Sequence, residues 1–131
     1  MMSYAETKIL IVEDDGLLAS TFEMFIKQIG YTHFGTATSS ADALKLCETM
    51  LPDIVLMDIH LEGEKTGIET AAFLGKEFNL PVVYITGDDS IETVRNAVLK
   101  NTYGFLSKPL RRNVLEASIE FALNKHRIDY E

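Results

Sequence analysis

Several short runs in this chain end directly in residues that can do chemistry. Ile9, Leu10, Ile11 and Val12 run into Glu13 and Asp14; Ile54, Val55, Leu56 and Met57 run into Asp58; Val82 to Ile85 runs into Thr86. A fourth stretch, Tyr103 to Leu106, leads through Ser107 to Lys108. Clustered carboxylates repel one another and raise each other's pKa unless a cation sits among them. Two or three carboxylate oxygens, completed by waters and a backbone carbonyl, suit Mg²⁺, which prefers octahedral oxygen ligands. Such a metal also binds a phosphate oxygen and offsets the charge that would repel a carboxylate nucleophile. Asp58 could then attack phosphorus to form an acyl phosphate. Lys108 would offer a point charge to the phosphoryl oxygens and Thr86 a hydroxyl donor. Taken alone, Asp58 is as readily a cap for the following turn. The combination is what points to phosphoryl transfer.

The elements that must position these residues follow from periodicity. Short apolar runs bounded by turn signals read as strands buried on both faces, as in a parallel sheet. After the first strand, Leu18, Phe22, Phe25, Ile26 and Ile29 recur at helical spacing, and Gly30 stops the helix. Tyr31 to Ala37 lacks a continuous apolar run and suits a less buried edge strand. Ser39 or Ser40 caps a second helix with Leu44, Cys47 and Leu51 on one face, closed by Pro52. Ile68, Ala71, Ala72 and Phe78 mark a third helix, and Ile91, Val94 and Val98 a fourth. Leu115, Ile119, Ala122 and Leu123 mark a last one that runs out near Arg127. Strand then helix, five times, predicts an α/β fold with a parallel sheet covered on both faces. In such sheets ligands bind at the C-terminal ends of the strands. Glu13, Asp14, Asp58, Thr86 and Lys108 all fall at that edge.

Composition bounds the reading further. The 131 residues carry 12 basic and 20 acidic side chains, a net charge of −8, with 47% hydrophobic and 24% charged residues. That length suits one domain able to bury about two-thirds of its unfolded surface. The acidic balance argues against nucleic acid as a direct partner, since phosphate backbones need a basic face. The single cysteine, Cys47, excludes an internal disulfide and reads as a small core residue. The N-terminal MMSYAETK has no apolar segment before a cleavage site, and no run of ~18 apolar residues offers a membrane span. A cytoplasmic location is the expectation. His33 and His126 have no second ligand at metal spacing and read as surface residues.

The segments ILIVEDD, DIVLMDIHLEGEKTGIE, VVYITG and YGFLSKP, in this order, resemble the receiver domain of response regulators in two-component signalling. The resemblance extends from Lys8 to Asn124. It implies a single receiver domain over residues 1–131, with 1–7 and 125–131 as terminal extensions. It also implies a flavodoxin-like (βα)5 three-layer sandwich with strand order 2-1-3-4-5. By resemblance, Asp58 is the phosphoacceptor, fed from the phosphohistidine of a sensor histidine kinase or a phosphotransfer protein. Asp14, Asp58 and, mainly through water, Glu13 would hold Mg²⁺ or Mn²⁺, with the backbone carbonyl of His60 as a further ligand. Thr86 and Lys108 would bind the phosphoryl group, and the Lys108–Pro109 bond would be cis. His60 and Asp88 match positions that tune the lifetime of the phosphoryl group. Two residues depart from the commonest family pattern: Glu62 stands where a proline is usual, and Glu13 replaces an aspartate. Asp15 adds a third acidic residue, read as a cap for the first helix.

The family further implies a switch in which Thr86 moves toward the phosphoryl group and an aromatic on the fifth strand follows. Phe105 matches that position and has no hydroxyl, so a packing switch is expected on the face formed by the fourth helix, fifth strand and last helix. The partners expected are the phosphodonor and a downstream protein or output domain, with homodimerisation through that face as a further option. A stand-alone receiver, or one excised from a larger protein, is the expectation. Self-promoted phosphorylation and dephosphorylation are expected, without turnover of a separate substrate. Three other readings compete. A phosphorylation-independent docking module would not need the full set of site residues. A metal-dependent aspartyl-phosphate phosphatase usually carries its nucleophile after the first strand, beneath an inserted cap. A flavin carrier would need a glycine- and hydroxyl-rich loop where this chain has EDDG.

Overall fold

The computed structural model describes residues 3–59, 67–87, 95 and 103–130. Among the described residues, five strands and four helices follow in this order: β1 (Lys8–Val12), α1 (Gly16–Ile29), β2 (His33–Ala37), α2 (Ser40–Met50), β3 (Ile54–Asp58), α3 (Gly67–Phe78), β4 (Val82–Thr86), β5 (Gly104–Ser107) and α4 (Arg112–Asp129). The helix expected across Ile91, Val94 and Val98 lies outside the described residues and carries no label. The strands form one sheet in the order β2-β1-β3-β4-β5, every pair parallel. This is the flavodoxin-like order anticipated from the sequence.

Alternation along the strands divides the core in two. Ile9, Ile11, Ile54, Leu56, Val83 and Ile85 pack with Phe22 and Ile26 of α1 and with Leu115 and Ile119 of α4. Leu10, Val12, Val55, Met57, Val82 and Tyr84 face the other way, toward Ala43 and Cys47 of α2 and Ala71 and Leu74 of α3. Successive side chains in a strand point to opposite faces, so runs such as ILIV and IVLM supply both cores at once. Burying each such side chain contributes roughly 1.5–3 kcal/mol. Edge strand β2 is the least covered of the first three strands, as its mixed composition predicts. Tyr31, expected in that strand, instead precedes it and is buried, with its ring edge-on to Tyr4 at 4.9 Å.

Helix ends follow local chemistry. Asp15 caps α1 by accepting from the Leu17 and Leu18 N–H groups at 2.9 and 3.2 Å. Gly30 ends α1 at φ 127°, a conformation that a side chain disfavours. Ser39 caps α2 by accepting from the Asp42 N–H at 3.1 Å. Helix α4 runs past Arg127 to Asp129 because its last turn is tied down. The Tyr103 hydroxyl donates to Asp129 at 2.9 Å, and Lys125 donates to the same carboxylate at 3.3 Å. His126, expected on the surface, is half-buried and packs between Tyr103 and Tyr130 at ring distances of 5.5 and 4.7 Å. Among the described residues, no helix is long and apolar enough to cross a membrane.

Candidate functional site

The C-terminal edge of the sheet gathers residues from four strand ends. Glu13 and Asp14 follow β1, Asp58 ends β3, Thr86 ends β4 and Lys108 follows β5. Glu13, Asp58 and Thr86 are almost wholly buried, at 1%, 3% and 0% exposure, so their chemistry is screened little by bulk water. Backbone bonds fix the frame. The Glu13 N–H donates to the Ala37 carbonyl at 3.0 Å, and the Lys108 N–H donates to the Thr86 carbonyl at 2.8 Å. Thr86 stands in register with Ser107, which sets Lys108 just beyond the β4 end.

Side chains of this edge converge. Carboxylate oxygens of Glu13, Asp14 and Asp58 all lie within 4.8 Å of one another. The Lys108 ammonium stands 3.2 Å from Glu13 Oε1 and 3.8 Å from Asp58 Oδ1. The Glu13 carboxyl is pushed up to about 7, first by burial and then by its contact and repulsion with Asp58; the Asp15 N–H and Lys108 work against the rise. The Asp15 N–H donates to Glu13 Oε2 at 3.3 Å, whereas Oε1 is buried and receives no well-directed hydrogen bond despite the nearby ammonium. A buried carboxylate beside two further carboxylates, with a single ammonium among them, is a donor set that suits a hard divalent cation. The residues present therefore fit Mg²⁺ or a similar ion.

Phe105 lies one strand position from Leu106 and is half-buried, packed on the core of the α2 and α3 side. The peptide bond between Lys108 and Pro109 is cis. His60, Glu62 and Asp88 lie outside the described residues. Asp15 is a helix cap and adds no carboxylate to the cluster of three. One residue of the site escaped the sequence reading. Gly67, taken only as the mark of a loop, opens α3 directly against the main chain of Asp58. Its position in the sequence, a glycine at the start of an apolar helical stripe, was the one available signal. A cavity of about 790 Å³ lies elsewhere, around Tyr4, Tyr31, Phe78, Leu80 and Leu123, and contains none of these residues.

Comparison with known proteins is consistent across sequence and structure. The family described as "Response regulator receiver domain" matches residues 9–120. The transcriptional regulatory protein PdtaR of Mycobacterium tuberculosis is 28% identical over 120 residues, 92% of this chain and 58% of PdtaR. The heme response regulator HssR of Staphylococcus saprophyticus is 30% identical over 125 residues, 94% of this chain and 54% of HssR. The chain thus spans little more than half the length of these relatives. The signal receiver domain of a modulated diguanylate cyclase from Desulfovibrio desulfuricans superposes with a TM-score of 0.86 at 37% identity, covering 93% of this chain and 97% of that one. The N-terminal domain of a three-domain response regulator from Carboxydothermus hydrogenoformans gives a TM-score of 0.86 at 29% identity, covering 95% of this chain and 100% of that one. Motifs, strand order and the acidic edge agree with these matches, and the chain belongs to the response regulator receiver domain family.

Proposed function

We propose that this chain is a phosphorylation-controlled signalling domain whose acceptor is Asp58. The observation that carries the reading is the convergence of three carboxylates and the Lys108 ammonium at one sheet edge. An Asp58 carboxylate oxygen attacks phosphorus. The bond from phosphorus to the donor nitrogen of a phosphohistidine breaks, and the imidazole leaves as the P–O bond forms. Asp14, Asp58 and, mainly through water, Glu13 would hold Mg²⁺ or Mn²⁺ together with the His60 carbonyl, and the ion would offset negative charge on the phosphoryl oxygens. Lys108 pairs with those oxygens, and the Thr86 hydroxyl donates to one of them. His60 and Asp88 tune how long the acyl phosphate survives. Hydrolysis at the same site returns the carboxylate, so no separate substrate is turned over.

The reading extends to output. Thr86 follows the phosphoryl group, Phe105 repacks beneath it, and the altered face spans the segment between β4 and β5, β5 itself and α4. A sensor histidine kinase or phosphotransfer protein supplies the group, and a downstream protein or attached output domain reads the face. Residues 1–131 act as one receiver unit with a core over 8–124. The test is an intact mass after incubation with Mg²⁺ and acetyl phosphate, beside an Asp58→Asn control. One phosphoryl group, lost in alkali and absent from the control, supports the reading. An unchanged mass when Mg²⁺ is bound would instead favour phosphorylation-independent docking or a receiver that strictly needs its kinase.

A further inference from the structure

Gly67 packs against main chain. A Cβ placed on it would lie 2.8 Å from the carbonyl carbon of Asp58, 2.8 Å from the Cα of Ile59, and would overlap the Asp58 carbonyl oxygen outright. No rotamer change relieves a clash with backbone atoms. The Gly67 N–H donates to the Ile59 carbonyl at 2.9 Å. From the opposite side, the Ile59 N–H donates to the Ile85 carbonyl of β4 at 3.1 Å. The backbone of the acceptor and of its successor is thus clamped between β4 and the first turn of α3. Other glycines are seated differently. Gly16 has nothing within 4 Å, and Gly104 meets only the Val83 side chain, at 3.3 Å and beyond.

We propose that Gly67 is a positioning residue for phosphoryl transfer, an inference that rests on Asp58 being the acceptor. The missing side chain lets α3 seat directly on the Asp58–Ile59 main chain. That seat sets how far the Asp58 carboxylate stands from Glu13, Asp14 and Lys108. A Cβ at position 67 either lifts α3 or pushes the end of β3 away. A shift of about 1 Å in a reacting group costs on the order of a hundredfold in rate. It also spoils the common spacing of the three carboxylates, so metal affinity falls with it.

The test compares Gly67→Ala with Gly104→Ala, which also crowds a buried neighbour but lies away from the acceptor. Mg²⁺ affinity is measured by direct titration, and phosphorylation by acetyl phosphate is followed as a rate constant for the folded molecules. Loss of stability alone reduces the folded fraction and leaves both quantities unchanged. A positioning role lowers the rate constant at least about tenfold and weakens Mg²⁺ binding several-fold in Gly67→Ala only. The inference is overturned if Gly67→Ala stays within about twofold of wild type in both, or if Gly104→Ala loses as much. Should Gly67→Ala fail to fold, amide exchange of Gly67 in the wild type decides. Coupling is reciprocal, so Mg²⁺ must slow that exchange several-fold, and an unchanged rate overturns the inference. A wild type that binds Mg²⁺ but accepts no phosphoryl group would sink the acceptor assignment by itself, while titration and exchange still decide whether Gly67 positions the carboxylates.

Discussion

Carboxylates lie near both ends of this sheet, and the two ends treat them in opposite ways. Around the N-terminal edge they are matched with donors. Asp53 accepts the Lys8 N–H at 2.8 Å, Glu116 accepts the Tyr4 hydroxyl at 2.9 Å, and Asp129 accepts both Tyr103 and Lys125. The Asp129 carboxyl is accordingly held below its usual range, chiefly by the Tyr103 hydroxyl. At the C-terminal edge Glu13 moves the other way, because burial and a neighbouring carboxylate outweigh the donors it has. The same residue type thus serves as a tie at one end and, at the other, as a crowded cluster around the Lys108 ammonium. Matched carboxylates hold the last turn of α4 and the start of β1 in place. At the other edge the repulsion felt by Glu13 is what a cation would relieve.

The sharpest way to break this contrast is at Asp58. Asp58→Asn is expected to abolish phosphorylation by acetyl phosphate, read by intact mass, without lowering the melting temperature of the metal-free protein. It removes one carboxylate from the cluster of three. A large fall in melting temperature would place Asp58 among the structural carboxylates. Next in size is Lys108→Ala, which takes away the ammonium that lies between Glu13 and Asp58. Its phosphorylation rate is expected to fall on the order of a hundredfold, as when a single charge-stabilising donor is lost. A rate near wild type would remove Lys108 from the site.

Titration sharpens the comparison. Glu13 holds its proton in the folded chain up to about pH 7, against an ordinary value of 4.5. Between those values the folded state binds a proton that the unfolded state has released, so stability falls as pH rises through that window. The loss is at most on the order of 3 kcal/mol, at about 1.4 kcal/mol per unit. In chelator, the melting temperature of the wild type should drop more between pH 5 and pH 7.5 (roughly the titration window) than that of Glu13→Gln. Saturating Mg²⁺ should flatten the difference, since a cation lets Glu13 ionise at lower pH. Parallel curves for the two proteins in chelator would contradict the buried, repelled carboxylate described here.

The smallest effect belongs to the other end. Tyr103→Phe removes one hydrogen bond to Asp129 and is expected to cost about 1 kcal/mol in denaturant unfolding. The rate of phosphorylation should stay at the wild-type value. A slowed rate would show that the base of β5 and the site at its far end are not independent.

Much of this arrangement was legible before any coordinates. Glu13, Asp14, Asp58 and Thr86 could be found because each directly follows an apolar run, and the two-faced burial of β1, β3 and β4 is written in those runs. Gly30 and Asp15 could be read because caps depend on neighbours in sequence. Tyr31 and Tyr103 were harder. Tyr31 is buried through its edge contact with Tyr4, and Tyr103 is engaged by Asp129, 26 positions away. Nothing local announces either partner. Gly67 is the clearest case. Its lack of a side chain matters only because α3 folds back onto the end of β3, a tertiary event that a glycine after a loop does not reveal. His126 was expected on the surface and is half-buried for the same reason, since the two aromatic rings that cover it are not announced by its spacing to other ligands.

Strand β3 pairs with β1 on one side and β4 on the other, and all five of its residues are buried. Partial opening of a folded protein frees its least supported pieces first. Fraying of α1, α2 or either edge strand leaves the ladder around Asp58 closed. Asp58, the proposed acceptor, is therefore anchored on a strand held along both sides. Changes at the edges of the sheet reach that carboxylate only through a ladder closed on both sides.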